Sequence, residues 1–130
     1  MGSEVIKIAN CSGYYGDRLS AAKEMVEGGP VDVLTGDYLA ELTMAILFNQ
    51  KLKRGDDKGY VGTFLKQLKD VAKTCKEKEI KIVTNAGGLN PKSMANEIQN
   101  ILSELGLEMQ VAYIDGCLLY TSPSPRDTPI

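Results

Sequence analysis

Three short stretches of this 130-residue sequence concentrate side chains that bind or react: "NCSGYYGDR" at 10–18, "TGD" at 35–37 and "TNAGGLN" at 84–90. In the first, Gly13 and Gly16 let backbone amides approach an anion, with Ser12 beside them and Arg18 adding a full positive charge. The spacing Ser-Gly-x-x-Gly is neither the dinucleotide fingerprint nor a P-loop, because no Gly-Lys-Ser/Thr follows. A tight strand-to-helix turn capped by Asp17 remains the alternative. In the third, Gly87 and Gly88 permit positive φ and close approach of a ligand, while Asn85 offers both a donor and an acceptor. The alternative there is a turn leading to Asn90 as a helix cap. Asp17, Asp37 and Asp115 are candidate general acids or bases if brought together and desolvated, although Asp37 beside Gly36 also reads as an N-cap. Cys11 stands where a nucleophile would, before a helix N-terminus, but the chain has no histidine to serve as its base. Packing suits it better.

These stretches recur at one kind of place, the carboxyl end of a predicted strand. "EVIKIA" at 4–9 reads as a buried strand, followed by a helix from about Asp17 that stops at "EGGP" (27–30). "VDVLT" at 31–35 is a second strand, followed by a helix with Leu39, Leu42 and Ile46 on one face. After the polar turn "GDDKG" (55–59), Val61, Phe64, Leu65, Leu68, Val71, Ala72 and Cys75 hold a 3.6-residue stripe. "IKIVTN" at 80–85 is a third strand, Asn90-Pro91 starts a helix carrying Met94, Ile98, Ile101, Leu102 and Leu105, and "MQVAYID" at 109–115 is a fourth strand.

Strands alternating with helices predict right-handed parallel crossovers. The expected fold class is therefore α/β, an open parallel sheet of about four strands with helices on both faces in Rossmann-like layers. Half of a (β/α) barrel is the alternative. In either architecture ligands bind beyond the carboxyl ends of the strands, the edge on which the three stretches fall.

Composition narrows the partners. A hydrophobic fraction of 43% with 25% charged residues belongs to a soluble globular domain, and a net charge of −2 without a basic block excludes nucleic acid and anionic membrane as expected partners. No apolar run approaches a membrane span or a signal peptide. Three cysteines without a Cys-x-x-Cys pair, and no histidine, predict no metal site and no disulfide framework. A reducing cytoplasm is the expected compartment.

Taken together, "IANCSGYYGDRLSAAKEMVEGGPVDVLTGDYLAELTMAIL", "KIVTNAGGLNP" and "VAYIDG" closely resemble the N-terminal part of the acyclic terpene utilisation (AtuA-like) family over about residues 4–116. The resemblance implies a bacterial cytosolic protein of citronellol- and geraniol-type catabolism, a route that runs through coenzyme A thioesters. It implies an enzyme acting on an acyl-CoA or isoprenoid acid, with Asp17 or Asp37 moving a proton. Ser12, Gly13, Gly16, Arg18, Gly36, Asn85, Gly87, Gly88 and Asn90 would then line the ligand edge. The second expectation is a non-catalytic module that binds a nucleotide-like ligand such as coenzyme A for a partner enzyme. The partner is a small molecule in either case, with a homo-oligomer or partner subunit also expected, and no resident cofactor is identified.

Family members are several times longer, and the ending of this chain differs in kind. The last nine residues, "SPSPRDTPI", hold three prolines and two serines. DNA that encodes "CLLYTSPSPRD" codon by codon resembles the transposon end and adapter of sequencing libraries. The expectation is an incomplete N-terminal α/β domain at 1–116 and a non-native, disordered tail at 117–130. A fragment cut there is expected to be inactive whatever its parent does.

Overall fold

The computed structural model describes residues 4–115. The expected tail and the resemblance limit at Gly116 lie outside them.

Strand β1 (Ile8–Asn10) begins later than the apolar run suggests, because its partner begins later too. The Asp32 amide donates to the Lys7 carbonyl at 2.8 Å and the Asp32 carboxylate accepts from the Lys7 amide at 2.8 Å. Before Lys7 no neighbouring strand is paired, so Val5 and Ile6 stay 77% and 64% exposed rather than buried. Helix α1 (Ala21–Glu27) starts after Ser20, not at Asp17. Strand β2 (Val33–Gly36) then leads through Tyr38 to helix α2 (Glu41–Arg54), whose N-cap is Ala40, not Asp37. The face α2 buries is centred on Thr43 and Leu47. Leu42, expected inside, is 73% exposed. Tyr38 and Gly88 fix this phase: the ring of Tyr38 joins Leu47 in one cluster, and Gly88, having no Cβ, leaves room for the Leu47 side chain.

Helix α3 (Gly62–Lys78) follows its periodic stripe, burying Phe64, Leu68, Val71, Ala72 and Cys75. Each larger side chain among them contributes ~1.5–3 kcal/mol on leaving water. The one polar residue in that buried set is Gln67. The C-cap of α3, Glu79, takes the left-handed conformation at φ 57°. Strand β3 (Lys81–Thr84) leads to helix α4 (Pro91–Glu104), which starts as its sequence predicts: Asn90 accepts from the Ser93 amide at 3.3 Å and Pro91 occupies the first turn.

The three strands form an open parallel sheet in the order β1-β2-β3, with Ala9, Leu34 and Ile82 aligned across it. Strands added in one direction by right-handed crossovers place their helices on the same face. The expectation of helices on both faces is corrected accordingly. Helices α1 and α3 pack over Leu34, with Ala9 and Ile82 at its sides. A second cluster gathers Tyr38, Leu47, Tyr60, Phe64, Met94 and Leu102 between α2, α3 and α4. The opposite face carries Ile8 and Val83, 65% and 60% exposed. Residues 109–115, expected as a fourth strand, form no ladder with β3. Met109 and Val111 reach the core by side-chain packing, which fixes their position without fixing a backbone register, and Ile114 is 93% exposed. No helix among the described residues is long and apolar enough to cross a membrane.

Candidate functional site at the carboxyl edge of the sheet

Parallel strands deliver their loops to one edge, and here that edge is knitted together by backbone and amide groups. The loop after β1 is joined to the end of β2 by Cys11 donating to Thr35 O at 2.8 Å and Asp37 donating to Ser12 O at 2.9 Å. The loop after β3 is joined to it by Asn85. Its carbonyl oxygen accepts from the Tyr38 amide at 2.9 Å, and its NH₂ donates to Asp37 Oδ1 at 2.7 Å. Asn85 thus uses both functions of its amide on two successive residues. Asp37 is an exposed residue, and Oδ1 of its carboxylate is held by this bond. On the uncovered face beside it, Thr35 Oγ1 donates to Asn10 Oδ1 at 3.1 Å.

Asp17 does different work. Its Oδ2 accepts from the Gly13 amide at 2.9 Å and its Oδ1 from the Arg18 amide at 2.8 Å. Those two bonds favour the charged form and hold the carboxyl below its usual range. Asp17 therefore closes the first loop on itself as a fixed anion, while Gly16 at φ 89° makes the bend. Arg18 turns to Glu24, 3.3 Å away at the surface. Ser12 is buried, and its hydroxyl donates to Tyr14 O at 3.0 Å.

The glycines and Asn90 of the third loop face inward, toward the chain. A Cβ on Gly88, at φ 55°, would stand 2.4 Å from Leu47 Cδ1 and 2.9 Å from Gly59 O; one on Gly87 would stand 2.9 Å from Pro91 Cα. Asn90 caps α4 and also donates to Asp56 O at 2.7 Å and Lys58 O at 3.0 Å. Gly36 leaves space for the Tyr38 ring, which a Cβ would meet at 2.6 Å. Of the residues singled out in the sequence, Ser12, Asp37 and Asn85 are brought together directly. Gly13, Gly16, Asp17 and Arg18 form a neighbouring loop, and Gly36, Gly87, Gly88 and Asn90 support the edge by packing.

The residue beneath this edge, Tyr38, is not marked by any motif of the sequence. Tyr38 is 1% exposed, meets Phe64 edge-on with ring centroids 6.1 Å apart, and pairs its hydroxyl with Gln67 Oε1. Gln67 in turn reaches Arg18 O at 3.5 Å. Burial, with the Cys11 thiol close by, pushes the Tyr38 hydroxyl well above the usual phenol range. The available signal was Gln67, a polar residue at a core position of the α3 stripe, which requires a buried partner. Cys11 is buried as well, and burial raises its thiol above the usual value, away from thiolate character. Among the described residues no group of His, Cys, Asp or Glu is arranged to hold a metal ion.

No curated protein and no solved structure matches the chain. The family model described as "Acyclic terpene utilisation family protein AtuA" matches residues 6–125, a span that contains all three loops of this edge and continues past Gly116. The chain belongs to the acyclic terpene utilisation family AtuA.

Proposed function

We propose that the carboxyl edge forms part of the active site of an enzyme of acyclic terpene utilisation that acts on an acyl-CoA or isoprenoid acid, with Asp37 as the group that moves a proton. One observation carries this reading: Asn85 fixes one oxygen of Asp37 at 2.7 Å, and Asp37 is exposed where the loops of three parallel strands meet. A base must be held in position and still be reachable. The same amide holds the Tyr38 backbone, so the orientation of Asp37 is tied to the core through a buried tyrosine. Asp17 has both oxygens engaged by its own loop, which suits a structural anion better than a proton carrier.

The second reading, a non-catalytic module that binds a nucleotide-like ligand, is favoured by a different feature. Among the described residues the one side-chain hydrogen bond to Asp37 comes from a neutral amide, and no carboxylic acid is hydrogen-bonded to it as an acid–base pair would be. Calorimetric titration with coenzyme A and short prenyl-CoA thioesters, followed by mass spectrometry for product in a family member that carries the same three loops, separates the two. Turnover supports the enzyme, binding without product supports the module, and no binding of either ligand sinks both.

A further inference from the structure

The outer side of α2 carries an apolar stripe that faces solvent. Leu42, Phe48 and Leu52 are 73%, 57% and 68% exposed, Ala45 and Asn49 are exposed beside them, and none of the five belongs to either core cluster. Single exposed apolar residues are ordinary, but several in one stripe mark a contact surface. The helix buries Thr43 and Leu47 on its other side, so the stripe points away from the core.

The spacing of the stripe narrows what can cover it. Leu42, Ala45, Asn49 and Leu52 follow one another at steps of three, four and three residues, the a and d positions of a heptad seam along which two helices pack. That series of steps is the same from either end of the helix. Two copies laid antiparallel about a twofold axis therefore set Leu42 against the second copy's Leu52, and Ala45 against the second copy's Asn49. A polar residue at an a position fixes the register at a cost in affinity.

The charges at the two ends of α2 favour the same orientation. Glu41 stands in the first turn, and Lys51, Lys53 and Arg54 stand in the last. Antiparallel pairing brings the acidic end of each helix to the basic end of the other and sets the two helix dipoles head to tail. Parallel pairing would place like charges together.

We propose that this stripe is the contact surface of a homodimer in which α2 packs antiparallel against α2 of a second copy of this chain. A helix of fourteen residues is about 21 Å long. One such seam falls short of the roughly 800 Å² per partner of a standard interface, so the dimer is a reversible one that dissociates in the micromolar range. The surface stands independently of Asp37 and of any reaction there.

The test is sedimentation velocity of the full chain across the micromolar concentration range, where a reversible equilibrium between monomer and dimer is expected. Leu52→Glu should weaken dimerisation at least about a hundredfold, because two leucine contacts are lost in each dimer. Asn49→Leu should tighten it about tenfold by replacing the polar a position. Glu41→Lys should weaken it about threefold, the loss of exposed opposite-charge pairs. Val83→Thr, on the exposed sheet face outside the contact, should leave it unchanged and thereby report non-specific association. Circular dichroism melts confirm that each variant is folded. A monomer at every concentration, tightening by Glu41→Lys, or equal losses in Leu52→Glu and Val83→Thr would overturn the proposal. A chain that stays monomeric and co-sediments with anionic lipid vesicles would assign the stripe to a membrane surface and overturn it equally.

Discussion

Replacing Asn85 by alanine should unfasten the second loop from the third, and the size of the effect follows from what each partner does afterwards. The Tyr38 amide is partly buried and loses its acceptor at 2.9 Å, whereas Asp37 Oδ1 is exposed and regains water. An orphaned buried amide costs ~1–3 kcal/mol. Partial access to water puts this one in the lower half, about 1–2 kcal/mol, with nothing added at Asp37. A domain of this size shifts its melting temperature by about 4 °C for each kcal/mol, giving a fall of about 4–8 °C. Urea denaturation followed by circular dichroism should show a lower midpoint at an unchanged slope. Asn85→Asp sharpens the test, because it keeps the acceptor for Tyr38 but sets a second carboxylate against Asp37. It should be less stable than the parent at neutral pH, because two like charges are then held against each other. A loss under about 0.5 kcal/mol in Asn85→Ala would refute the reasoning, since changes that small are typical of surface positions with no defined role.

Gly88→Ala should destabilise by about 2–4 kcal/mol, combining a left-handed residue with a Cβ 2.4 Å from Leu47 Cδ1, as read from urea midpoints. Glu79→Gly should stabilise by roughly 0.5–1 kcal/mol in the same assay, because φ 57° at the end of α3 is strained for glutamate and free for glycine. Asp17 has a folded pKa below its ordinary value of 3.8, so its contribution is fully present above that value and is lost as pH falls through the lower folded value. In Asp17→Asn the decline in stability below about pH 4 should therefore be shallower than in the parent, measured by thermal melts across acid pH.

What was legible in the sequence was what local pattern dictates. The α3 stripe, the Asn90-Pro91 start of α4 and the delivery of three polar loops to one sheet edge follow from periodicity, capping and parallel topology. What was not legible depended on contacts between distant segments. Asp37 reads as a cap, yet Asn85, forty-eight residues away, claims its side chain and the helix begins at Glu41. Leu42 fits an apolar face by spacing, but the packing of Tyr38 and Leu47 sets the rotation of α2 the other way. Arg18 sits in the glycine loop as an anion ligand would, and Glu24, on the next helix, takes it. The glycines at 36, 87 and 88 announce close approach correctly, but what approaches is Tyr38, Pro91 and Leu47. The one-sided sheet follows from strand order, which spacing along a single chain leaves open.

The most direct test of Asp37 is Asp37→Asn in an AtuA family member carrying the same three loops, with prenyl-CoA binding measured by calorimetry and product by mass spectrometry. Asparagine keeps the shape of the side chain and removes its ability to take a proton. The predicted result is retained binding, within about threefold, with product formation reduced by a factor of about a hundred or more, the contribution usual for a general acid or base. Product formed at the parental rate by Asp37→Asn would contradict the assignment.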